Sequence, residues 1–247
     1  MTAQLPGQPP ELPGGMPSPR GVALVTGAAS GIGAAVAQEL RSPGWRVAGF
    51  DLRPSACDLP LTGDVTDSAA VTAAVARVTA ELGPVGALVT AAGYYEMIPF
   101  EQLTPEGWQR MLRVHLGGLV TAVRAVLPGM LELGAGRIVA VSSELAIGGG
   151  DGDAHYAAAK GAIIGLVRSL AAEVAGSGVL VNSVAPGPTD TPLLDPDSPW
   201  RAPEYLATLP VRRLAWPAEI AAAVRFVLEE GSFLVGEVVS VNSGAVI

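Results

Sequence analysis

From residue 21 onward, short runs of β-branched and apolar residues alternate with longer segments of helical periodicity. Parallel strands need long connections, and a helix in each connection covers one face of the sheet. The alternation therefore predicts an α/β fold, a doubly wound parallel sheet of seven strands with helices on both faces. The predicted strands are 22–26, 46–50, 59–61, 85–91, 137–142, 179–184 and 237–241, and the predicted helices are 32–40, 68–82, 105–133, 155–175 and 217–230.

The composition indicates one folded domain and excludes several classes of protein. Of 247 residues, 49% are hydrophobic and 15% are charged, so the chain has ample apolar surface to bury and is not wholly disordered. A net charge of −8 repels phosphate polyanions and argues against nucleic-acid binding. We expect a single domain over residues 20–247.

The single cysteine limits the covalent and metal chemistry. Cys57 has no second cysteine with which to form an intrachain disulfide or a cysteine-based metal cluster, and no metal site is predicted. The composition fits a reducing compartment, and the sequence contains neither a signal-peptide core nor an apolar run of about 18 residues. We therefore expect a cytoplasmic protein without a membrane span.

Residues 1–19 differ in composition from the rest of the chain. They contain six prolines and three glycines, and their composition predicts a disordered tail. A partner-docking segment of polyproline character is the alternative.

A glycine-rich turn follows the first predicted strand directly. The segment 26–33 reads Thr-Gly-Ala-Ala-Ser-Gly-Ile-Gly and leads into a predicted helix. Glycines are needed there for a tight turn, for close approach of backbone to a pyrophosphate, and for packing of the helix on the strand. Free N–H groups and the helix dipole then face the phosphates. The turn predicts a dinucleotide site in a Rossmann-type fold.

Asp51 ends the second predicted strand, near the interval expected for the acid that binds the adenosine ribose. Its charge would repel the additional phosphate of NADP, so we expect NAD unless Arg53 folds over that position. Asp64 stands at the end of the third strand. Only 13 residues separate the two acids, too few for a full crossover helix, so the adenine side should be open.

Tyr156 and Lys160 are four residues apart in a predicted helix and therefore share one face. A neighbouring ammonium favours the phenolate and makes the tyrosine a candidate general acid-base. The chain has 14 arginines and one lysine, which suggests that Lys160 occupies a site needing a compact ammonium.

Ser143 closes the fifth predicted strand and brings a hydroxyl to the same sheet edge as the glycine turn. It is a candidate for holding a substrate oxygen beside the phenol. Ser142 competes for this role, because alternation along a strand turns only one of the two toward the site.

With these motifs assembled, the sequence resembles the short-chain dehydrogenase/reductase family over residues 21–247. The turn at 26–33 is similar to the family's T-G-x-x-x-G-x-G motif, and Asp64-Val65 to its adenine-contacting pair. The segment 182–187 is similar to its V-N-x-x-x-P-G stretch. Ser143, Tyr156 and Lys160 match its catalytic serine, tyrosine and lysine.

The resemblance implies hydride transfer between a nicotinamide and a carbinol or carbonyl carbon. Tyr156 would move the hydroxyl proton, Ser143 would orient the oxygen, and Lys160 would lower the tyrosine pKa and bind the nicotinamide ribose. A homodimer or homotetramer built on helices 105–133 and 155–175 is also implied. The implied cofactor-binding residues are Thr26, Gly27, Ser30, Gly31, Ile32, Gly33, Asp51, Asp64, Val65, Ala91, Ala92, Gly93, Tyr156, Lys160, Pro186, Gly187, Thr189 and Thr191.

Two positions depart from the family pattern. Segment 90–93 reads Thr-Ala-Ala-Gly where the family often has N-N-A-G, and His115 replaces an asparagine that holds a water leading to the lysine. An imidazole also donates and accepts, so His115 is a candidate catalytic residue that keeps the proton path; a purely structural histidine is the alternative. His155, beside Tyr156, points elsewhere around the helix and is expected at the rim.

The candidate substrate segments are mostly apolar and aromatic, which suits a hydrophobic or cyclic secondary alcohol or ketone. The leading function is an NAD-dependent alcohol dehydrogenase or ketoreductase. An NADPH-dependent 3-oxoacyl-carrier-protein reductase is the enzymatic alternative, and a non-catalytic dinucleotide-binding sensor or scaffold is the alternative of another class. The predicted substrate residues are Tyr94, Tyr95, Glu144, Leu145, Leu194 and Trp200.

Overall fold

Seven parallel strands form one sheet in the order β3-β2-β1-β4-β5-β6-β7. The computed structural model describes residues 21–42 and 44–246, so the predicted tail at 1–19 lies outside the described residues. The strand order reverses between β1 and β4, and ligands bind at such a switch point in open α/β sheets. The strands are β1 Val22–Thr26, β2 Arg46–Asp51, β3 Leu59–Thr62, β4 Val85–Thr90, β5 Gly136–Val141, β6 Val179–Pro186 and β7 Val238–Val241.

The five predicted helical segments are present, and two short helices were not predicted. These two, α5 and α7, are four residues each and are too short to show a helical period. The helices are α1 Gly31–Arg41, α2 Ser68–Glu81, α3 Pro105–Leu112, α4 Gly118–Leu133, α5 Leu145–Gly148, α6 Ala154–Val174, α7 Pro203–Leu206 and α8 Pro217–Glu229.

Apolar side chains fill both faces of the sheet. Every residue of β1 and of β5 is buried, which explains why these strands read as continuous apolar runs rather than alternating ones. One core cluster lies between the sheet and helices α2, α4 and α6. The other lies between the sheet and helices α1 and α8. The predicted doubly wound architecture is confirmed.

The predicted helix 105–133 begins as expected but is interrupted. Thr104 caps α3, accepting a hydrogen bond from the N–H of Gly107 at 3.1 Å, and Pro105 occupies the first turn. The segment Arg113–Gly117 is then a π-helical turn that separates α3 from α4. An apolar periodicity continues through a π turn, so the sequence did not reveal this break.

By length and composition, Pro105–Leu133 would be long and apolar enough to cross a membrane. Its inward side chains, including Met111, Leu119 and Val126, are instead buried within the protein. A core helix of a globular domain shows the same composition, so this segment carries no argument for a membrane span.

Candidate active site

A cavity of about 820 Å³ opens at the carboxyl ends of the strands, around the switch point. The site residues predicted from the sequence line this one cavity, with the exception of Thr26. Thr26 is buried at the end of β1, where its hydroxyl accepts a 3.4 Å hydrogen bond from the N–H of Ala92. Thr26 therefore fixes the segment after β4 and does not face the cavity.

The turn between β1 and α1 has no room for side chains larger than hydrogen at two of its glycines. A Cβ added to Gly33 would lie 2.1 Å from the carbonyl oxygen of Gly27, and one added to Gly27 would lie 2.7 Å from the backbone nitrogen of Ala92. Gly27 and Gly31 also have positive φ angles of 73° and 55°. The cavity lies against this turn and the amino end of α1, an arrangement that fits a pyrophosphate.

Asp51 lies beside the glycine turn, at the end of β2. Its Oδ2 accepts a 3.0 Å hydrogen bond from the N–H of Ala29, and its Oδ1 accepts one of 3.1 Å from the N–H of Arg53. Each carboxylate oxygen keeps further acceptor capacity toward the cavity. These two acceptor oxygens fit a ribose with two hydroxyl groups.

Arg53 folds back toward the same place. Its Nη2 donates a 3.2 Å hydrogen bond to the Ser30 hydroxyl, so the guanidinium lies on the glycine turn, and Arg53 lines the cavity. The expected preference for NAD is conditional on the position of this side chain. The connection 52–58 contains no helix, as expected, and Leu52 is 69% exposed there.

Asp64 and Val65 follow β3 and also line the cavity. Asp64 accepts a 2.8 Å hydrogen bond from the N–H of Thr66, while Val65 is buried against α4. A Cβ on Gly118 would lie 2.8 Å from a methyl carbon of Val65, so the Val65 side chain can pack against the start of α4 only because residue 118 is glycine.

The segment after β6 closes the other side of the cavity. The Thr189 hydroxyl donates to the carbonyl oxygen of Gly187 at 2.8 Å, and Thr189 and Thr191 are both buried. A Cβ on Gly31 would lie 3.4 Å from the Thr191 side chain, which puts this threonine against the glycine turn. The segment therefore bridges the two ends of the predicted dinucleotide site.

Tyr156 and Lys160 lie on one face of α6 and reach the same cavity. The Lys160 Nζ lies 5.5 Å from the centroid of the Tyr156 ring, and it donates a 2.9 Å hydrogen bond to the carbonyl oxygen of Val141 at the end of β5. Lys160, the single lysine of the chain, is thus buried, and a backbone carbonyl oxygen holds its ammonium group.

Ser143, and not Ser142, presents its hydroxyl to the Tyr156 side of the cavity. The Ser142 hydroxyl is 2% exposed and bonds to β6, through the Val184 carbonyl oxygen at 3.2 Å and the Ser183 hydroxyl at 2.7 Å. The Ser143 Oγ donates a 3.0 Å hydrogen bond to the Glu144 Oε2, and Ser143 lies close enough to Tyr156 to lower the pKa of the tyrosine. The alternation expected of a strand end thus resolves the choice between the two serines.

The electrostatics of Tyr156 differ from the expectation. Burial raises the pKa of Tyr156 above its ordinary value, the nearby Glu144 carboxylate raises it further, and the hydrogen bond from Ser143 only partly opposes both. Burial also lowers the pKa of Lys160 to about 8. The prediction that the Lys160 ammonium brings the tyrosine towards working range stays a prediction, and in the structure that ammonium acts against the burial and the Glu144 carboxylate.

His115 lies in the π turn, directly against Tyr156. The two rings meet edge to face with centroids 5.4 Å apart, and the His115 Nε2 lies 2.8 Å from the carbonyl oxygen of Tyr94. The carbonyl oxygen of Tyr94 requires a hydrogen on Nε2, whereas the N–H of Tyr94, 3.3 Å from the same Nε2, requires a lone pair there. The shorter contact favours the tautomer with the hydrogen on Nε2, which leaves Nδ1 as an acceptor. Nδ1 is buried and has no hydrogen-bond partner among residues 21–42 and 44–246. Burial lowers the His115 pKa to about 3, so the ring is neutral.

The His115 imidazole leaves no room for a side chain at position 93. A Cβ at Gly93 would lie 2.3 Å from Cε1 of His115, closer than atoms can approach. Gly93, which matches the family's N-N-A-G segment, is thus in direct contact with the departure at 115.

His155 does not lie at the rim, as the sequence suggested. It is 1% exposed, and neither ring nitrogen has a hydrogen-bond partner among the described residues. His155 precedes Tyr156 by one residue in the helix, and its side chain therefore points away from Tyr156. That direction leads into the protein interior and not to solvent.

A hydrogen-bonded aromatic wall lines the open end of the cavity. The Tyr95 hydroxyl donates to the Asp153 Oδ1 at 2.8 Å, and its ring meets that of Tyr156 edge to face at 5.1 Å between centroids. Asp153 and Arg110, whose guanidinium lies 4.6 Å from the Tyr94 ring centroid, were not predicted. No sequence motif marks either residue, because only the folded chain brings them to the wall.

The described residues contain no group of three or more His, Cys, Asp or Glu side chains placed to hold a metal ion.

Comparisons with known proteins match this arrangement. A family model described as short chain dehydrogenase matches residues 21–202. The chain is 39% identical to the acetoacetyl-CoA reductase of Synechocystis sp. over 226 residues, covering 90% of this chain and 94% of that protein. It is 36% identical to the 3-oxoacyl-acyl-carrier-protein reductase FabG of Vibrio cholerae over 234 residues, covering 90% and 96%.

A solved structure shows the same likeness in three dimensions. The ligand-free aldohexose dehydrogenase AldT of Thermoplasma acidophilum superposes with a TM-score of 0.84 at 30% sequence identity. The match covers 91% of this chain and 93% of that chain.

Proposed function

Since the chain belongs to the short-chain dehydrogenase family, we propose that this oxidoreductase transfers a hydride between NAD(H) and a secondary alcohol or ketone. The observation that carries the proposal is the meeting of Ser143, Tyr156 and Lys160 in the cavity that also contains the glycine turn. A protein that only bound a dinucleotide would have no need for a phenol and an ammonium buried side by side.

The residues around the glycine turn would hold the dinucleotide. The backbone after β1 faces the pyrophosphate, and Asp51 accepts hydrogen bonds from the adenosine ribose. When bound, the nicotinamide accepts or donates the hydride, and its oxidised ring adds a positive charge to the site. Lys160, held by the Val141 carbonyl oxygen, lies in reach of the cavity as a donor to ribose hydroxyls.

The proton is handled by Tyr156. In the direction of oxidation the Tyr156 oxygen takes the proton of the substrate hydroxyl, and in the direction of reduction it returns a proton to the carbonyl oxygen. Ser143 donates a hydrogen bond to the same substrate oxygen. Positive charge near the phenol offsets the burial and the Glu144 carboxylate that raise the Tyr156 pKa.

The test is turnover of a panel of secondary alcohols with NAD by the native protein and by Tyr156→Phe. We expect the phenylalanine variant to lose at least about 100-fold in kcat, the scale of general acid-base catalysis, while NAD binding persists. Tyr205→Phe is the matched control, because Tyr205 lies outside the cavity lining. Turnover that survives in Tyr156→Phe would contradict the assigned proton role.

A second candidate is an NADPH-dependent reductase of 3-oxoacyl thioesters. Two observations favour it: the names of the relatives, an acetoacetyl-CoA reductase and a 3-oxoacyl-acyl-carrier-protein reductase, and the Arg53 guanidinium beside the ribose carboxylate. Asp51 opposes it by charge. Reduction of acetoacetyl-CoA with NADPH, compared with alcohol oxidation with NAD, separates the two candidates.

A homodimer or homotetramer is also part of the proposal. Helices α4 and α6 would form the contact, and Leu131 and Leu133 at the end of α4 are 41% and 49% exposed. Sedimentation of the protein measures the assembly directly, and a monomer at micromolar concentration would contradict it.

A further inference from the structure

A buried carboxyl group adjoins the serine of the proposed reaction. Glu144 follows Ser143 directly, lines the cavity and is only 6% exposed. The Ser143 Oγ donates a 3.0 Å hydrogen bond to the Glu144 Oε2. Carboxyl groups are rarely this buried unless they are paired, so the Ser143 hydrogen bond is an important part of this carboxylate's environment.

Ser143 has only one hydrogen to donate. In the proposed function that hydrogen turns toward the substrate oxygen, and the Glu144 Oε2 then loses its side-chain donor. A buried acceptor without a donor is unfavourable, so binding is favoured when something replaces the lost hydrogen bond.

The nearby protein donors are already engaged. The N–H of Glu144 donates to the Pro186 carbonyl oxygen at 3.0 Å, and the N–H of Leu145 donates to the Ser143 Oγ at 3.2 Å. The Tyr95 hydroxyl donates to Asp153 at 2.8 Å. A hydroxyl group of the substrate is a donor that can replace the lost side-chain hydrogen bond in this cavity.

We infer that Glu144 is a specificity-determining residue that accepts a hydrogen bond from a second hydroxyl group on the carbon next to the reacting carbinol. The inference rests on the proposed function and names its substrate class: vicinal diols and, in the reverse direction, α-hydroxy ketones. One substrate oxygen bonds to the Ser143 Oγ and its neighbour to the Glu144 Oε2, two protein atoms that lie 3.0 Å apart.

The spacing of these atoms suits adjacent hydroxyl groups. Gauche oxygens on neighbouring carbons lie about as far apart as two hydrogen-bonded oxygens, so both can meet the Ser143–Glu144 pair at once. Burial raises the Glu144 pKa to about 7, so above neutral pH the carboxylate is ionised and can only accept. A hydroxyl group meets that requirement, whereas a substrate carboxylate at the same place would be repelled.

The test compares cis-cyclohexane-1,2-diol with cyclohexanol as substrates with NAD, at about pH 9, where the carboxylate is ionised. We expect the native protein to show a kcat/KM for the diol at least about tenfold above that for the monoalcohol, the ratio that one hydrogen bond to a charged group supplies. In Glu144→Met, which fills the space without a strong acceptor, the ratio should fall to near one.

Two further variants make the result specific. Glu144→Gln keeps an acceptor oxygen and should retain part of the preference for the diol. Glu230→Gln changes an exposed carboxylate directly after α8, outside the cavity and the proposed subunit contact, and should leave the ratio unchanged. If Glu144→Met fails to fold, binding can be measured instead of turnover. The affinities of both alcohols are then compared in Tyr156→Phe with bound cofactor and in the double variant Tyr156→Phe with Glu144→Gln.

The outcomes separate the inference from the proposed function. A native ratio near one, or a ratio that survives in Glu144→Met, overturns the role of Glu144 and leaves the alcohol dehydrogenase intact. Absence of turnover of both alcohols and of the matching ketones, despite bound cofactor, overturns the proposed function and the inference with it.

Discussion

The indole N–H of Trp200 donates a 2.8 Å hydrogen bond to the hydroxyl oxygen of Tyr95, although the two residues are 105 positions apart in the chain. Tyr95 in turn donates to Asp153, at the start of the helix that carries Tyr156. Trp200 belongs to the segment between β6 and α8, which covers the substrate end of the cavity. The chain of hydrogen bonds therefore ties this cover to the catalytic helix.

Loss of the Trp200 indole N–H should weaken substrate binding more than it slows the chemical step. In Trp200→Phe we expect KM to rise roughly three- to tenfold with a smaller change in kcat, because the hydrogen bond contributes about 1 kcal/mol to the position of the cover and touches no reacting atom. Steady-state kinetics on one secondary alcohol measure the split.

A double-variant cycle with Tyr95→Phe tests whether the bond itself is responsible. If it is, the second substitution adds little to the first, and the coupling free energy is about 1 kcal/mol. Trp216→Phe serves as the control, since Trp216 is 58% exposed and stacks on Arg213 outside the cavity. Strictly additive effects would show that Trp200 and Tyr95 act independently.

Asp51 and Arg53 should set the choice between cofactors in opposite directions. Asp51→Ala removes the ribose acceptor and the charge that repels a ribose phosphate, so we expect weaker NAD binding and stronger NADP binding, each by about tenfold. Arg53→Ala should weaken NADP binding and change NAD binding less. Fluorescence titration of the native protein and both variants with both dinucleotides measures the six affinities, and a native preference for NADP would refute the assignment of NAD.

His115 should make the protein sensitive to acid. Its pKa is lowered from 6.5 to about 3 by burial, so the unfolded chain takes up a proton below about pH 6.5 while the folded protein does not. The contribution of neutral His115 to stability is therefore fully present above pH 6.5 and is lost as the pH falls toward 3, while Glu144, whose pKa is raised, acts in the opposite direction. At pH 5 the loss amounts to about 2 kcal/mol, which His115→Asn should abolish. Urea unfolding at pH 7.5 and 5.0 provides the free energies.

The same variant tests the proposed proton path. The unpartnered Nδ1 beside Tyr156 is the acceptor that such a path requires. If His115 participates, His115→Asn changes the pH profile of kcat as well as stability. An unaltered rate and pH profile would leave His115 with a structural role only.

Gly93→Ala should be strongly destabilising because its methyl group would meet the His115 ring at 2.3 Å. We expect a loss of about 1–3 kcal/mol in unfolding free energy, the range for overpacking in a well-packed interior. Gly129→Ala is a suitable control, since a Cβ there would meet no atom within 4 Å and alanine favours the helix. A normal stability of Gly93→Ala would mean that the imidazole has another position.

Much of the fold could be predicted because its signals are local. Continuous apolar runs gave the strands, and Thr104-Pro105 gave the start of α3. Strand 85–91 ends one residue earlier than predicted, at Thr90, and strand 137–142 lies one residue earlier, at Gly136–Val141. These are positions where the backbone leaves the sheet without a change in residue type.

The parts of the site that could be predicted are those in which residues close together in the chain form the functional group. The glycine turn and the Tyr156–Lys160 pair depend on neighbours in the chain. The roles of Asp153 and Arg53, and the burial of His155, depend on long-range contacts that leave no periodic trace. The burial that raises the Tyr156 pKa could not be predicted for the same reason, since the desolvation of a phenol is a property of the folded interior.

The contact between Gly93 and His115 has a consequence for anyone who redesigns this enzyme. A methyl group at 93 is excluded while a ring occupies 115, so variants at 93 become accessible only after 115 has changed to something smaller. A library that varies one position at a time would recover only glycine at position 93 and would suggest that glycine is required there in every background. Varying both together should reveal that the requirement belongs to the pair.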